Sequence, residues 1–387
     1  MGFPRVLAVF AAVTALAAGC GHSSQRPNSA PATSSSAKPI PPAKPACGDP
    51  AAILSSMSPR DKLAQLLMVG VRSGDDAQAV VANNHVGGIF IGSWTDMKML
   101  GPNLVKDLSA STALPVAVSV DEEGGRVARL SKLIGPAPSA RVLAQTHTPD
   151  EVYGMALDRG HRIRGLGITV DFAPDVDVTD APDDTVIGDR SFSPDPQKVV
   201  EYAGAYARGL RDAGLLPVLK HFPGHGHGSG DSHTGSVIVT PPLQQLQNND
   251  LVPYRALLNA VAPQGAMVGH LQVPDLTGNE PASVNRAAVQ MLRTGVGYNG
   301  PAFDGPIFSD DLSSMAAIKD HYTVPDAVLR AVQAGTDVAL WITTDEVPAV
   351  LDRLQKALDA KELKVSDVDD SVRRIAKFKG PKPDCGP

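Results

Sequence analysis

The sequence predicts an α/β fold, a single (β/α)8 barrel of the TIM type, and three observations carry that expectation. Eight short, nearly unbroken apolar runs recur along the chain. Longer segments with apolar residues at helical spacing lie between them, as in PQKVVEYAGAYARGLRDAG (196–214) and PDAVLRAVQAG (325–335). Polar residues gather where the apolar runs stop. Strands that are apolar along their length are buried on both faces, which requires helices to cover a parallel sheet. Eight such units in about 330 residues suit a barrel with inserted loops. A doubly wound open sheet is the alternative, because periodicity does not reveal whether a sheet closes.

The expected strands, in order, are QLLMVGV (65–71), VGGIFIG (86–92), LPVAVSVD (114–121), ITVDFAPDVD (168–177), LLPVLKHF (215–222), GAMVGHLQV (265–273), GPIFSDDL (305–312) and AGTDVALWI (334–342). Asp121 ends the third, Asp175 and Asp177 the fourth, Lys220 and His221 the fifth, His270 the sixth, and Asp310 and Asp311 the seventh, while Asp337 lies in the eighth. The C-terminal ends of barrel strands open onto one face, where barrel enzymes place their chemistry. One buried aspartate is commonly a satisfied core group; a ring of them points to a site.

Residues ahead of the barrel have another character. Arg5 precedes an apolar run from Val6 to Ala18 that is too short to span a bilayer as a mature helix and ends in small residues. Residues 1–19 are therefore expected to be an export signal. The ending AAGC, Ala17 to Cys20, resembles a bacterial lipobox, whose cysteine is acylated and becomes the new N-terminus, although Ala17 stands where a larger aliphatic is usual. On that pattern Cys20 carries a membrane anchor; a plain secretory signal is the alternative, and both place the mature chain outside the cytoplasm. Residues 20–46 are rich in Ser, Pro and Ala with little apolar bulk, the composition of an extended tether. The barrel domain is expected over 47–387. Cys47 and Cys385 sit at its two ends, and an oxidising compartment favours a disulfide between them, with two free thiols as the alternative.

A chain of 387 residues with 43% hydrophobic content can bury a large core. Its net charge of −6 provides no broad basic surface, which argues against nucleic acid as a partner.

The segment KHFPGHGHGSGDSH (220–233) carries four histidines, a lysine, an aspartate and four glycines at the end of the fifth expected strand. Proton-transferring side chains among glycines suggest a mobile loop that brings an acid to a bound substrate. Asp310 and Asp311 in IFSDDLSSM form a second cluster downstream. Together they suggest carboxylate chemistry opposite a histidine.

With DEEGGRVAR (121–129), IGDRSF (187–192), PASVNRAAV (281–289) and FSDDLSSM (308–315), the run KHFPGHG followed by DSH makes the chain resemble a family 3 glycoside hydrolase of the single-domain β-N-acetylglucosaminidase type. The similarity extends from about Leu63 to the C-terminal helices. The resemblance implies a retaining exo-β-N-acetylglucosaminidase that removes terminal N-acetylglucosamine from peptidoglycan or muropeptide fragments, a monomer needing no metal or organic cofactor. A retaining glycosidase traps the sugar on a carboxylate below the ring and protonates the departing oxygen from above. Asp310 matches the family's nucleophile, His233 its acid and then base, and Asp231 the group that orients His233 and stabilises its protonated form. Histidine titrates near neutral pH, so His233 could donate in one step and accept in the next. Asp311, next along the strand, should point away and be structural. Asp121, Arg129, Arg190, Lys220 and His221 resemble the clamp on the hydroxyls of the terminal sugar, where carboxylates accept and cations donate. Arg126 is expected to be paired for structure, and His225 is equally a loop scaffold or a sugar contact. The chain departs from the family at Glu122, where many relatives have Gln, and at HLQVP (270–274).

Other classes are open to the same residues. His225 and His227 form an HxH pair that, with Asp231, His233 and Lys220, could serve a metal-dependent barrel amidohydrolase. A histidine acid without negative charge could admit phosphate as acceptor, giving a β-N-acetylglucosaminide phosphorylase. Export and a tether would also suit a solute-binding lipoprotein.

Overall fold

Eight parallel strands close into a barrel in the computed structural model, which describes residues 2, 50–230 and 238–382. Cys20, Cys47, Asp231, His233 and Cys385, on which the lipidation, disulfide and acid/base expectations fall, lie outside the described residues. The strands are β1 (Leu67–Gly70), β2 (Gly88–Ile91), β3 (Ala117–Val120), β4 (Val170–Asp171), β5 (Leu216–Phe222), β6 (Gly265–Val268), β7 (Ile307–Ser309) and β8 (Ala339–Trp341). Each falls inside one of the expected apolar runs. Neighbours in sequence are neighbours in the sheet, and β8 returns to β1 with Leu67 opposite Ala339. The last seam, β7 to β8, is held by a Phe308–Val338 bridge, with the Ser309 N–H on the Val338 carbonyl at 3.0 Å and the Leu312 N–H on that of Leu340 at 2.9 Å. The sheet is thus a barrel, and the open alternative is excluded.

Two strands are shorter than expected for identifiable reasons. In β4 the ladder is interrupted at Pro174, which has no N–H to donate, and resumes at an Asp175–Lys220 bridge. Beyond β6 the chain leaves the barrel at Gly269 and His270, and Leu271–Gln272 instead pairs with Ile238–Val239 in a separate two-stranded ladder.

Asp337 requires a correction. β8 starts only at Ala339, so Asp337 lies ahead of the strand, at the N-terminal end of the barrel and away from the other predicted site residues. Its carboxylate accepts from the Ile307 N–H at 2.8 Å, from Arg293 at 2.5 Å and from Arg374 at 3.1 Å. The turn out of the helix Val324–Ala334 occupies the residues that the apolar run had assigned to the strand.

Side chains fill the barrel interior. Phe172 lies 5.9 Å from Phe90 and 5.5 Å edge-on from Phe308, ring to ring, closing the floor beneath the C-terminal face. The longest helices, Pro149–Gly165 and Pro196–Asp212, pack against each other outside the strands. The first starts at a capping box, Thr148 with Glu151, after which Pro149 begins the helix.

Candidate active site

Asp121 and Glu123 follow β3 and, two residues apart, turn to the same side. Glu122 between them turns inward, is fully buried, and pairs with Arg159 while accepting the Leu130 N–H at 2.7 Å. Lys220, on β5, reaches across the strand ends. Its ammonium lies 2.7 Å from Asp121 Oδ1 and 2.5 Å from Glu123 Oε1. Arg190, from the loop after β4, grips Glu123 with both Nε and Nη2 at 2.8 Å. The same guanidinium lies 3.3 Å from His221 Nε2 and 3.6 Å from Asp175 Oδ2.

His221 is oriented from its other nitrogen, with Nδ1 2.7 Å from Asp177 Oδ2. Because Arg190 can only donate, His221 Nε2 accepts and Nδ1 carries the proton toward Asp177. Asp177 Oδ1 also accepts the backbone N–H of His225 at 2.7 Å, which ties the start of the glycine loop to the end of β4. A Cβ on Gly226 would come within 2.0 Å of the Val178 carbonyl oxygen, so only glycine permits this approach. Burial, reinforced by the Arg190 charge, holds His221 neutral, down to about 4. Burial raises Asp177 to about 6.

Opposite stands Asp310, directly after β7. Its Oδ1 accepts the Asp311 N–H at 2.8 Å, and Oδ2 has no hydrogen-bond partner among the described residues. Burial pushes this carboxyl up, but His270, His221, the Asp311 N–H and Lys220 together outweigh it and hold Asp310 at about 2. Since His221 is neutral above about pH 4, its charge contributes only in acid. Asp311 accepts the N–H and hydroxyl of Ser313 at 2.9 and 2.7 Å and the N–H of Ser314 at 3.2 Å, the structural use expected of it, yet it also lines the cavity instead of pointing away. His270 supports this turn from behind, with Nε2 on the Asp311 carbonyl at 2.7 Å and Nδ1 on Ser283 Oγ at 2.6 Å.

Asp121, Arg129, Arg190, Lys220, His221 and Asp310 all line one cavity of about 580 Å3. Arg129 makes no hydrogen bond among the described residues. Arg126, three positions earlier, is bound to Asp189 at 2.8 Å and to the carbonyls of Thr185, Val186 and Ile187, the structural pairing expected of it. His225 lines the cavity, and its backbone N–H to Asp177 gives it the loop-scaffold role. The loop beyond it is closed at its neck by mutual hydrogen bonds between Ser229 and Val239 at 2.9 and 3.2 Å.

Several residues of the site were not anticipated. Glu123 is the hub of the clamp, and its position two residues beyond Asp121 was an available signal. Trp94, Met315 and Ile342 also line the cavity, and nothing in their local sequence marks them.

Among the described residues, His225 and His227 do not converge on a common metal position. His227 Nδ1 is turned away onto the Asp250 carboxylate at 3.0 and 3.1 Å, whereas His225 lies against His221, ring centres 5.7 Å apart. Asp175, Asp177 and His221 do place ligand atoms within 4.8 Å of one another. However, Arg190 already supplies positive charge there, and both Asp177 oxygens are occupied by His221 and His225. The donor set is that of a hydrogen-bonded ion-pair network.

"Beta-hexosaminidase LpqI" of Mycobacterium tuberculosis is 62% identical over 390 residues, 100% of either chain. "Beta-hexosaminidase A" of Pseudoalteromonas piscicida is 31% identical over 70% of this chain and 48% of its own. The solved structure described as M tuberculosis LpqI superposes with a TM-score of 0.86 at 64% identity, over 89% of this chain and 100% of that one. A family 3 β-N-acetylglucosaminidase from Paenibacillus sp. superposes with a TM-score of 0.74 at 30% identity, over 84% of this chain and 62% of that one. Residues 58–378 match the family described as the glycosyl hydrolase family 3 N terminal domain, and the chain belongs to that family.

Proposed function

We propose that the protein is a retaining exo-β-N-acetylglucosaminidase acting on peptidoglycan or its muropeptide fragments, exported and held at the cell membrane by a lipid on Cys20. One observation carries the chemistry: Asp310 Oδ2 has no hydrogen-bond partner among the described residues and shares a cavity with Arg129 and the preassembled clamp of Asp121, Lys220, Arg190 and His221. Relatives named beta-hexosaminidase and β-N-acetylglucosaminidase support the choice of sugar.

In this mechanism the clamp fixes the hydroxyls of the terminal N-acetylglucosamine. Asp121 accepts hydrogen bonds from them, while Lys220 and Arg129 donate. Asp310 Oδ2 attacks the anomeric carbon as the glycosidic C–O bond breaks, giving a glycosyl-aspartate. His233, oriented by Asp231, gives its proton to the departing oxygen. The neutral imidazole then takes a proton from water, whose oxygen attacks the same carbon and releases Asp310. Two displacements retain the configuration. Asp310, held at about 2, needs no deprotonation step at neutral pH.

The test is to trap the intermediate. A fluorinated N-acetylglucosaminide with a good leaving group should add one sugar to the chain, and peptide mapping should find it on Asp310. Labelling of another residue, or turnover with inversion, would refute the scheme. For the anchor, a Cys20→Ala chain should lose incorporated lipid and leave the membrane fraction; unchanged partitioning would refute that part.

A further inference from the structure

The two walls of the cavity differ in chemistry. The clamp after β3 to β5 is charged and largely buried. The wall beside Asp310, contributed by β2, β7 and β8 and the turns after them, carries the polar Asp311 and Ser314 together with a run of apolar side chains, Phe90, Trp94, Met315, Leu340 and Ile342. Trp94 is its outermost part and is 44% exposed, whereas the other tryptophan, Trp341, is fully buried.

The Trp94 indole is held in place despite that exposure. The Thr95 hydroxyl donates to the Val71 carbonyl at 2.7 Å and accepts the Gly92 N–H at 3.1 Å, fixing the turn after β2. The ring folds back over Gly92, where a Cβ would lie 2.4 Å from the indole, so the fold-back requires glycine. Its inner edge rests on Phe90, ring centres 6.0 Å apart. A large apolar ring immobilised at the mouth of a polar cavity is a surface prepared for a partner. A pyranose has such a complement, since the C–H groups on one face of the ring form an apolar patch, and polarised C–H groups are attracted to the negative face of an aromatic ring.

On the basis of the glycosidase reading above, we infer that Trp94 is the aromatic platform for the leaving-group sugar. The clamp takes the terminal residue at the cavity floor, which leaves the indole at the rim for the sugar that follows. Trp94 is then a specificity-determining residue for glycan over simple glycosides.

Two substrates with the same N-acetylglucosaminyl donor separate the possibilities: the β-glycosyl fluoride, whose leaving group has no ring, and the β-1,4-linked disaccharide of N-acetylglucosamine. In Trp94→Ala the ratio of kcat/KM on disaccharide to that on fluoride should fall on the order of tenfold, mainly through KM. Trp94→Phe should retain most of the ratio. Acrylamide quenching supplies a second measurement, since Trp94 is the exposed fluorophore: in Asp310→Asn, disaccharide should protect the emission and N-acetylglucosamine alone should not. An unmoved ratio in both variants, or equal protection by the two sugars, overturns the platform and leaves the glycosidase reading intact. Wild-type protein that turns over neither substrate overturns both.

Discussion

Two acidic networks at opposite ends of the barrel show what separates a site from a strut. At the N-terminal end, Asp337 is fully buried and its oxygens are taken by Ile307, Arg293 and Arg374. At the C-terminal end, Asp121, Glu123 and Asp177 are bound just as firmly to Lys220, Arg190 and His221, while Asp175 Oδ2 lies 3.6 Å from Arg190 with no hydrogen bond among the described residues. The second network nevertheless keeps capacity in reserve: among the described residues Asp310 Oδ2 and Arg129 have no hydrogen bond, and both residues line a cavity. Buried charge with full coordination holds a fold together, and function needs charge whose coordination is incomplete and reachable.

The sharpest test of this contrast is Asp310→Asn, which keeps size and polarity and removes the nucleophile. Turnover should fall about 10³-fold or more with little change in melting temperature, as single-turnover kinetics and calorimetry would record. A modest loss would mean that Asp310 is another strut. Asp337→Ala should do the reverse. It leaves Arg293 and Arg374 without their buried counter-ion, a change that costs about 3–5 kcal/mol. Denaturant melts should show the loss, with kcat per folded molecule unchanged; an altered kcat would break the distinction between the two ends.

Arg129→Ala probes the reserve capacity directly. No hydrogen bond among the described residues is lost, so stability should stay within roughly 0.5 kcal/mol. KM for an N-acetylglucosaminide should rise about tenfold, the effect of one charge-assisted hydrogen bond. A large drop in melting temperature with unchanged KM would place Arg129 with the structural residues.

The smallest effect concerns pH. Asp310 stays ionised down to about 2, so it cannot set the acid limb of kcat/KM. Burial raises Asp177 to about 6 and lowers His221 to about 4. Protonation weakens the carboxylate that anchors His225 and then removes the His221 Nε2 acceptor, so kcat/KM should decline as pH falls through that window. His221→Gln should flatten the lower part of the limb; a limb that persists unchanged would assign it elsewhere.

How much was legible in advance follows the same division. Runs such as LLPVLKHF declare β5 because a strand buried on both faces is apolar throughout, and all eight strands were visible on that basis. Asp121, Arg129, Arg190, Lys220, His221 and Asp310 stand out in the sequence through their motifs, and the barrel brings them to one cavity. Asp337 was misplaced because an apolar run does not show where within it the ladder begins. Glu123 was passed over because its importance lies in Lys220, 97 positions away, and Arg190, 67 positions away.

By itself, then, the sequence determined the periodicities, the order of strands and helices, and which side chains carry chemistry, all of them consequences of local spacing. Tertiary structure decided closure of the sheet, the end of the barrel to which each acid belongs, and which charges are fully coordinated. Those outcomes depend on hydrogen bonds such as Lys220 to Asp121, across 99 residues. Such contacts exist only once the barrel has folded, because no local pattern encodes a distance in space.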